Sequence, residues 1–317
     1  MGMNDHELKE GYEGVLPVWK PVGFTSHDVV AKARRLLGVR RIGHTGTLDP
    51  AVTGVLPLCV GRATRVVEYI QELPKEYEAE LTVGYSTDTE DATGEVVESV
   101  EHVQLDREQV LQVLDRFLGV IEQVPPMYSA VKVEGKRLYE LARAGVEVER
   151  KARKVEIYGL DVLSMNLEDR HPSLRFRVRC SKGTYIRTLC TDIGRALGYP
   201  AVMSELVRTS TGGIRREQCL TLEEIAERVS NGSLAACLLP ADVAISHLPE
   251  VHLPAREAQF ALQGRTVRTN PVPGHEAWAE GLCRVYGQPD SEEAERFLGL
   301  FCYDPSGKLL KPEKVFA

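Results

Sequence analysis

The sequence lacks the signatures of most metal and cofactor sites. It has no C-x-x-C and no H-E-x-x-H, and its eight histidines include no i, i+4 pair. Seven cysteines, an odd number spread from Cys59 to Cys302, suit neither a disulfide framework nor a zinc site. No metal and no cofactor are therefore expected. G-K-[ST], G-x-G-x-x-G and G-x-S-x-G are also missing, which excludes a phosphate loop, a dinucleotide loop and a serine nucleophile elbow. Apolar runs such as GVLPLCV are far shorter than a membrane span, so no membrane partner is expected. The opening MGMNDHELKEGYEG carries acids where a secretory leader needs a basic start and an apolar stretch. A cytoplasmic protein with a frayed segment over residues 1–14 is the expectation.

An overall excess of positive charge is missing too: 39 Lys and Arg face 46 Asp and Glu, a net of −7. The average hides a pattern. Cations cluster in KARRLLGVRR (32–41), RKARK (150–154) and LRFRVRC (174–180), while acids gather in TDTEDATGE (87–95), TLEEIAE (221–227) and DSEEAE (290–295). A polyanion responds to local patches rather than to the net total, and a solvated face is the plainer reading of each cluster.

What is present suits a folded chain with a large core. With 317 residues and 43% hydrophobic content, one large domain plus a small one can be buried. FTSHDVVAKARRLLG reads as a helix opening at Thr25 or Ser26 and closing at Gly38, with Val29, Val30, Ala33, Leu36 and Leu37 inward. KEYEAELTVG alternates, with Tyr77, Ala79, Leu81 and Val83 on one face; in LRFRVRC, Leu174, Phe176, Val178 and Cys180 do the same. SKGTYIRTLCTDIGRALG turns through Gly183 into a helix with Ile186, Leu189, Ile193 and Leu197 inward and Arg187 in its first turn. DREQVLQVLDRFLG predicts a further helix, and the Thr221/Glu224 capping box opens another. Strands and helices mix without a βαβ rhythm, so the expected class is α+β with a mixed, largely antiparallel sheet flanked by helices. HLPEVHLP (247–254) reads as a linker, and the short strand-like runs RTVRT, CRVYG and FLGLFCYD beyond it predict a small β-rich module over 251–317.

The chemistry concentrates in RRIGHTGTLDPAVTGVLPLCVGRATRV (40–66). Asp49 is the only acid between Asp28 and Glu68, so the two paired carboxylates of a glycosidase are absent there. On residue type alone two readings stand. Asp49 either bonds backbone amides in a tight turn ahead of Pro50, or is a carboxylate nucleophile held rigidly on a Gly-containing turn.

GHTGTLDPAVTGVLPLCVGRATR resembles the catalytic segment of the TruB family of tRNA pseudouridine synthases. WKPVGFTSHDVVAKARR before it, KEYEAELTVGYSTDTEDATGEV after it, PPMYSAVKVEGKRLYELARAGVEVERKAR and CSKGTYIRTLCTDIG resemble that family in the same order, over about residues 15 to 215. The resemblance implies a catalytic domain over 15–246 with an RNA-clasping insert at about 124–154, and a PUA-like RNA-binding domain over 251–317. It implies isomerisation of a uridine in the tRNA T-loop, at conventional position 55, with Asp49 as nucleophile, Arg187 as its ion-pair partner and Tyr77 stacking on the flipped base. His44 then fills the space that the base leaves. Asp91 supports His44 or the RNA-facing loop, Leu206 walls the uracil pocket, and Lys20 belongs to a KP motif near the site. Lys132, Lys136, Arg137, Arg143 and Arg153 of the insert contact the T-arm stem-loop. The implied protein is a monomer without an obligatory protein partner, and an additional tRNA-folding chaperone role accompanies catalysis.

Overall fold

The computed structural model describes residues 11–133, 135–146, 148–269, 281–289, 294–306 and 308–317. From the N-terminus run β1 (Gly14–Lys20), α1 (Ser26–Leu37), β2 (Ile42–His44), β3 (Thr53–Val60), α2 (Val67–Glu72), β4 (Lys75–Val83), β5 (Tyr85–Thr87), β6 (Val96–Ser99), α3 (Arg107–Asp115) and β7 (Gly119–Gln123). A small hairpin, β8 (Lys132–Val133) with β9 (Lys136–Arg137), and α4 (Leu138–Arg143) precede β10 (Arg153–Asn166) and β11 (Ser173–Cys180). There follow α5 (Ile186–Leu197), β12 (Ala201–Thr211), β13 (Ile214–Arg215) and α6 (Leu222–Ser230). The last part holds β14 (Glu250–Leu253), α7 (Ala255–Leu262), β15 (Val267–Arg268), β16 (Gly281–Gly287), β17 (Arg296–Asp304) and β18 (Leu309–Val315).

The main sheet orders its strands β1-β3-β12-β4-β11-β10-β7, with β2 attached to β3 and β13 to β12. Its pairings are antiparallel except β12 with β3, in keeping with the α+β, largely antiparallel expectation. Alternation on the two central strands builds the core. Ala79, Leu81 and Val83 of β4 and Leu174, Phe176, Val178 and Cys180 of β11 are buried against α5 (Ile186, Leu189, Ile193, Leu197) and α3 (Val110, Val113, Leu114). Burying such a side chain contributes about 1.5–3 kcal/mol relative to exposure. The outward faces pair by charge across the same strands, with Arg177 donating to Glu78 at 2.8 Å.

The α1 helix starts and stops where its caps dictate. The Thr25 hydroxyl accepts from the Asp28 amide at 3.0 Å, Asp28 accepts from the Thr25 amide at 2.8 Å, and Gly38 ends the helix in the left-handed region. Val29, Val30, Ala33 and Leu37 are buried, while Leu36 is only half-buried.

Two expectations shift. Of the segment 1–14 expected to be frayed, residues 1–10 lie outside the described residues. Glu13 pairs with Arg62 and Tyr12 packs on the α1 core, so the fold has begun before residue 15. HLPEVHLP is more than a linker, because its centre is β14, paired in parallel with β16. Pro249 and Pro254 bracket that strand rather than interrupt it, which leaves its amides free for the ladder, and Val251 and Leu253 face inward. The second sheet orders β14-β16-β17-β18-β15. Leu300 and Phe316 from it pack with Val15, Val55, Cys59, Val66 and Ile70 of the larger body, and Lys314 meets Glu68 at 3.0 Å. Part of the acidic run 290–295 lies outside the described residues.

Candidate active site

The loop between β2 and β3 carries Asp49, and it is tied down along its length. Thr45, fully buried, donates from amide and hydroxyl to Pro57 O at 3.1 and 3.2 Å. The Leu48 amide donates to the Ser26 hydroxyl at 2.9 Å, and Gly23 N donates to Pro50 O at 2.8 Å. Lys20, with no exposed surface, sends its ammonium to Pro21 O, Pro50 O and Val52 O at 2.9, 3.4 and 2.6 Å. Arg208 approaches from β12 and donates to Val55 O at 2.7 Å, Gly46 O at 3.4 Å and Thr47 O at 3.5 Å. The chain around Asp49 is thereby immobilised while its carboxylate remains 40% exposed.

Gly54 makes the Arg208 contact possible. Its φ is +136°, and a Cβ there would lie 2.3 Å from the Arg208 carbonyl oxygen, so any side chain would push β3 off β12. Arg208 is 1% exposed, and its backbone sits opposite Tyr77 of β4. Burial pushes the Tyr77 phenol up; the Arg208 guanidinium opposes this, and the Asp49 charge adds to it. Tyr77 itself is only half-buried, so one part of it remains accessible.

Arg187, in the first turn of α5, is the hub of the site. Its Nη2 lies 3.1 Å from Asp49 Oδ2 and donates to Tyr128 O at 2.8 Å; its Nη1 donates to Thr89 O at 3.0 Å. Asp91 Oδ2 stands 4.0 Å from its Nε. The Asp91 carboxylate otherwise accepts from the Thr89 hydroxyl at 2.8 Å and from the amide and hydroxyl of Thr93 at 3.0 and 2.5 Å. Its partners are therefore its own loop and Arg187, not His44. Glu90, between these residues, adopts φ +63° and accepts from the Thr188 hydroxyl at 2.7 Å. Burial pushes its carboxyl up, with the Thr188 bond and the Arg187 charge pulling the other way.

His44 ends β2, and its ring meets that of His27 edge-on at 5.3 Å. Burial, with lesser contributions from the His27 and Arg208 charges, holds its imidazole below the usual histidine range. Leu206 of β12 is half-buried opposite Ala79 and packs on the α5 core. The 124–154 segment presents Lys132, Lys136, Arg143 and Arg153 at the surface and Arg137 half-buried. Tyr139 lies between two of these cations, with the Arg137 and Arg143 guanidinium carbons 5.8 and 5.6 Å from its ring centre. Hydrogen bonds at both ends root the segment. Gln123 exchanges hydrogen bonds with the Tyr185 backbone at 3.0 and 3.2 Å, and Arg150 donates to Pro125 O at 3.0 Å. Because Tyr128 O accepts from Arg187, the root of the cationic segment touches the partner of Asp49.

Three site residues escape sequence reasoning: Arg208, Glu90 and Gln123. Register shifts between Met203 and Glu205 and between Arg208 and Ser210 break the period of two on β12, so no alternation marks Arg208 as inward. Glu90 sits in an acidic run that reads as solvated. Lys20 is legible as part of a KP motif, but the fold places it beneath the turn, where its ammonium is spent on backbone carbonyls rather than facing outward.

Comparison with known proteins agrees along the chain. The profile of the "TruB family pseudouridylate synthase (N terminal domain)" matches residues 34–186. That of the "tRNA pseudouridylate synthase B C-terminal domain" matches 187–246, and that of "Pseudouridine synthase II TruB, C-terminal" matches 249–316. The chain is 48% identical over 310 residues to tRNA pseudouridine synthase B of Bacillus licheniformis, spanning 96% of this chain and 97% of that protein. It is 54% identical over 242 residues to the protein of the same name from Halalkalibacterium halodurans, spanning 76% and 80%. Among solved structures, a Cbf5-Nop10-Gar1 complex matches at a TM-score of 0.73 and 29% identity, over 96% of this chain and 85% of that one. An H/ACA RNP bound to a substrate RNA containing 2'-deoxyuridine matches at 0.69 and 26%, over 96% and 85%.

Proposed function

The chain belongs to the TruB family of pseudouridylate synthases, isomerases that act on RNA, and from that premise we propose that it converts one uridine of the tRNA T-loop, at position 55, to pseudouridine with Asp49 as nucleophile. The observation that carries this reading is a half-exposed carboxylate on an immobilised turn, 3.1 Å from a buried guanidinium. The reaction keeps every atom of the substrate: the bond from C1′ to N1 breaks, the uracil rotates, and C5 takes its place on C1′. C5 gives up its proton as it bonds to C1′ and N1 takes one up, so no water is consumed and no fragment is released. A single well-held carboxylate acting as nucleophile fits that requirement. Asp91 and Glu90 are engaged in positioning, through Arg187 and Thr188.

The target base has to leave its stack, which costs a few kcal/mol. Stacking on the accessible part of Tyr77 returns roughly 1–3 kcal/mol. Leu206 walls the pocket beside it, and His44 occupies the space left in the RNA loop. The cations of the 124–154 insert hold phosphates, and the Arg187 bond to Tyr128 O supports coupling of that clasp to the partner of Asp49. Phosphate contacts position RNA without reading bases, so selection rests on the folded shape of the arm. Residues 15–246 form the catalytic part in this reading, and 251–317 a PUA-like RNA-binding module.

The chain acts alone, as a cytoplasmic monomer, without a guide RNA or a protein partner. Purified chain with unmodified tRNA is expected to yield pseudouridine at position 55 alone, mapped by chemical modification and primer extension; no product without added guide RNA would overturn this. Affinity for tRNA is expected to fall steeply with salt, and replacing Lys132 and Lys136 by Gln is expected to flatten the log Kd against log salt slope by about 0.7–0.9 for each phosphate no longer neutralised. A slope equal to the parent's would remove the insert from the interface. Holding RNA through groups other than Asp49 also supports a chaperone role in tRNA folding, which Asp49→Asn is expected to retain.

Lys20 gives the reaction a pH dependence. Burial pulls its ammonium down to about 8, with the Asp49 charge opposing and the Arg208 charge adding. As pH rises through that value the group loses its charge and one of its three N–H donors, and the hold on Pro50 O and Val52 O loosens. Turnover is expected to decline above about pH 8, and Lys20→Met, slower throughout, is expected to lose that limb in a pH–rate profile. A limb that persists in the variant would assign it elsewhere.

A further inference from the structure

One strongly charged surface has no part in the mechanism above. Arg34 and Arg35 close the C-terminal half of α1, and Arg40 and Arg41 follow Gly38 before β2; all four are exposed. Ion pairs elsewhere occupy Arg62, Arg175, Arg177 and Lys182. None of the four arginines at the end of α1 meets a carboxylate among the described residues. Arg34 donates to Ile42 O at 3.0 Å and Arg41 to the Thr64 hydroxyl at 2.6 Å. Arg34, Arg35, Gly38, Val39 and Arg40 line an open hollow of about 440 Å³.

Four cations within eight residues repel one another, and in a chain of net charge −7 there are acids enough to neutralise them. Leaving them unpaired around a concavity favours an external anion. Guanidinium forks present paired donors to phosphate oxygens, which makes arginine the residue suited to a phosphodiester. No aromatic side chain lines the hollow, so the aromatic anchor common at protein–protein hot spots is missing there. The position also matters. The Arg34 bond to Ile42 O ties the hollow to β2, whose last residue is His44, five residues before Asp49.

We infer that the arginine hollow at the end of α1 binds backbone phosphates of the substrate RNA beside the loop that enters the active site, as a second electrostatic hold distinct from the insert. The inference rests on the tRNA-modifying reading above. The test uses the full chain carrying Arg35→Gln and Arg40→Gln, the two of these arginines whose side chains make no hydrogen bond among the described residues, and a charge-preserving control with Arg35→Lys and Arg40→Lys. The Kd for unmodified tRNA is measured across a salt series, and the single-turnover rate at saturating tRNA is measured beside it. The Gln variant is expected to bind more weakly, with a salt slope shallower by about 0.7–0.9 for each phosphate no longer neutralised, and to react at the parent's rate once saturated. The Lys control is expected to keep the parent's slope. A Gln variant with the parent's Kd and slope would overturn the inference and leave the hollow to an acidic protein. A lowered saturating rate with unchanged Kd would overturn it too, since the arginines would then act through β2 on the catalytic turn. A parent chain that neither binds tRNA nor forms pseudouridine would bring down the underlying reading instead, so the two failures are separable.

Discussion

Asp49→Asn is expected to bind tRNA as the parent does and to form no pseudouridine. The substitution keeps the size of the side chain and removes its charge and its nucleophilic oxygen. The backbone of the turn does not depend on that carboxylate. Lys20, Ser26, Thr45 and Arg208 hold residues 45–55 through backbone groups and leave the Asp49 side chain out of the scaffold. Arg187 likewise keeps Thr89 O and Tyr128 O as acceptors when its ion pair is lost. Fold and RNA surface should persist, while removing a nucleophile costs on the order of 10⁴-fold or more in rate. The measurement is product per tRNA by mass spectrometry, beside Kd by filter binding. Product at a rate near the parent's would remove Asp49 from the chemistry; loss of binding together with product would make its role structural.

The second large effect belongs to Arg187. Arg187→Met preserves much of the apolar stem and deletes the guanidinium, which is 7% exposed. Thr89 O and Tyr128 O then lose their donor, and the Asp91 carboxylate, 15% exposed, loses the cation 4.0 Å away. Breaking a buried charge arrangement from one side costs about 3 kcal/mol of stability, because the carboxylate that stays behind loses its compensating cation. Asp49 loses the group that orients its oxygen, so the saturating rate is expected to fall by on the order of 10²–10³, the range for deleting one preorganised donor. Arg187→Lys separates the two effects. A single ammonium restores charge but cannot reach two carbonyls and a carboxylate in the geometry of the fork, so stability should recover further than rate. Equal recovery of both would mean that charge alone matters at this position.

The local features were legible because they depend on short-range rules. Thr25, Asp28 and Gly38 announce both ends of α1, and the alternations of KEYEAELTVG and LRFRVRC mark the two central strands that pair side by side. Asp49, Tyr77 and Arg187 stood out through motifs that run collinearly with a known family. The orientation of Asp91 was not legible: a loop residue has no periodicity, and only the return of β12, whose Met203 bonds Glu90 and Ala92 through the backbone, turns that loop toward Arg187. Arg208 was hidden for a related reason, since bulges on both sides of it erase the alternation that would show a buried position.

The sequence by itself determined the α+β class, the caps of α1, the two central strands, the family and the one acid on the turn before β3, because each of these follows from neighbours along the chain. Only the tertiary structure decided which groups share a field. Asp49 and Arg187 are separated by more than a hundred residues, and Lys20 and Arg208 reach the same turn from β1 and β12, far apart in the chain. A charge becomes a neighbour through burial and sheet register, and neither quantity can be read until β3, β4 and β12 have come together.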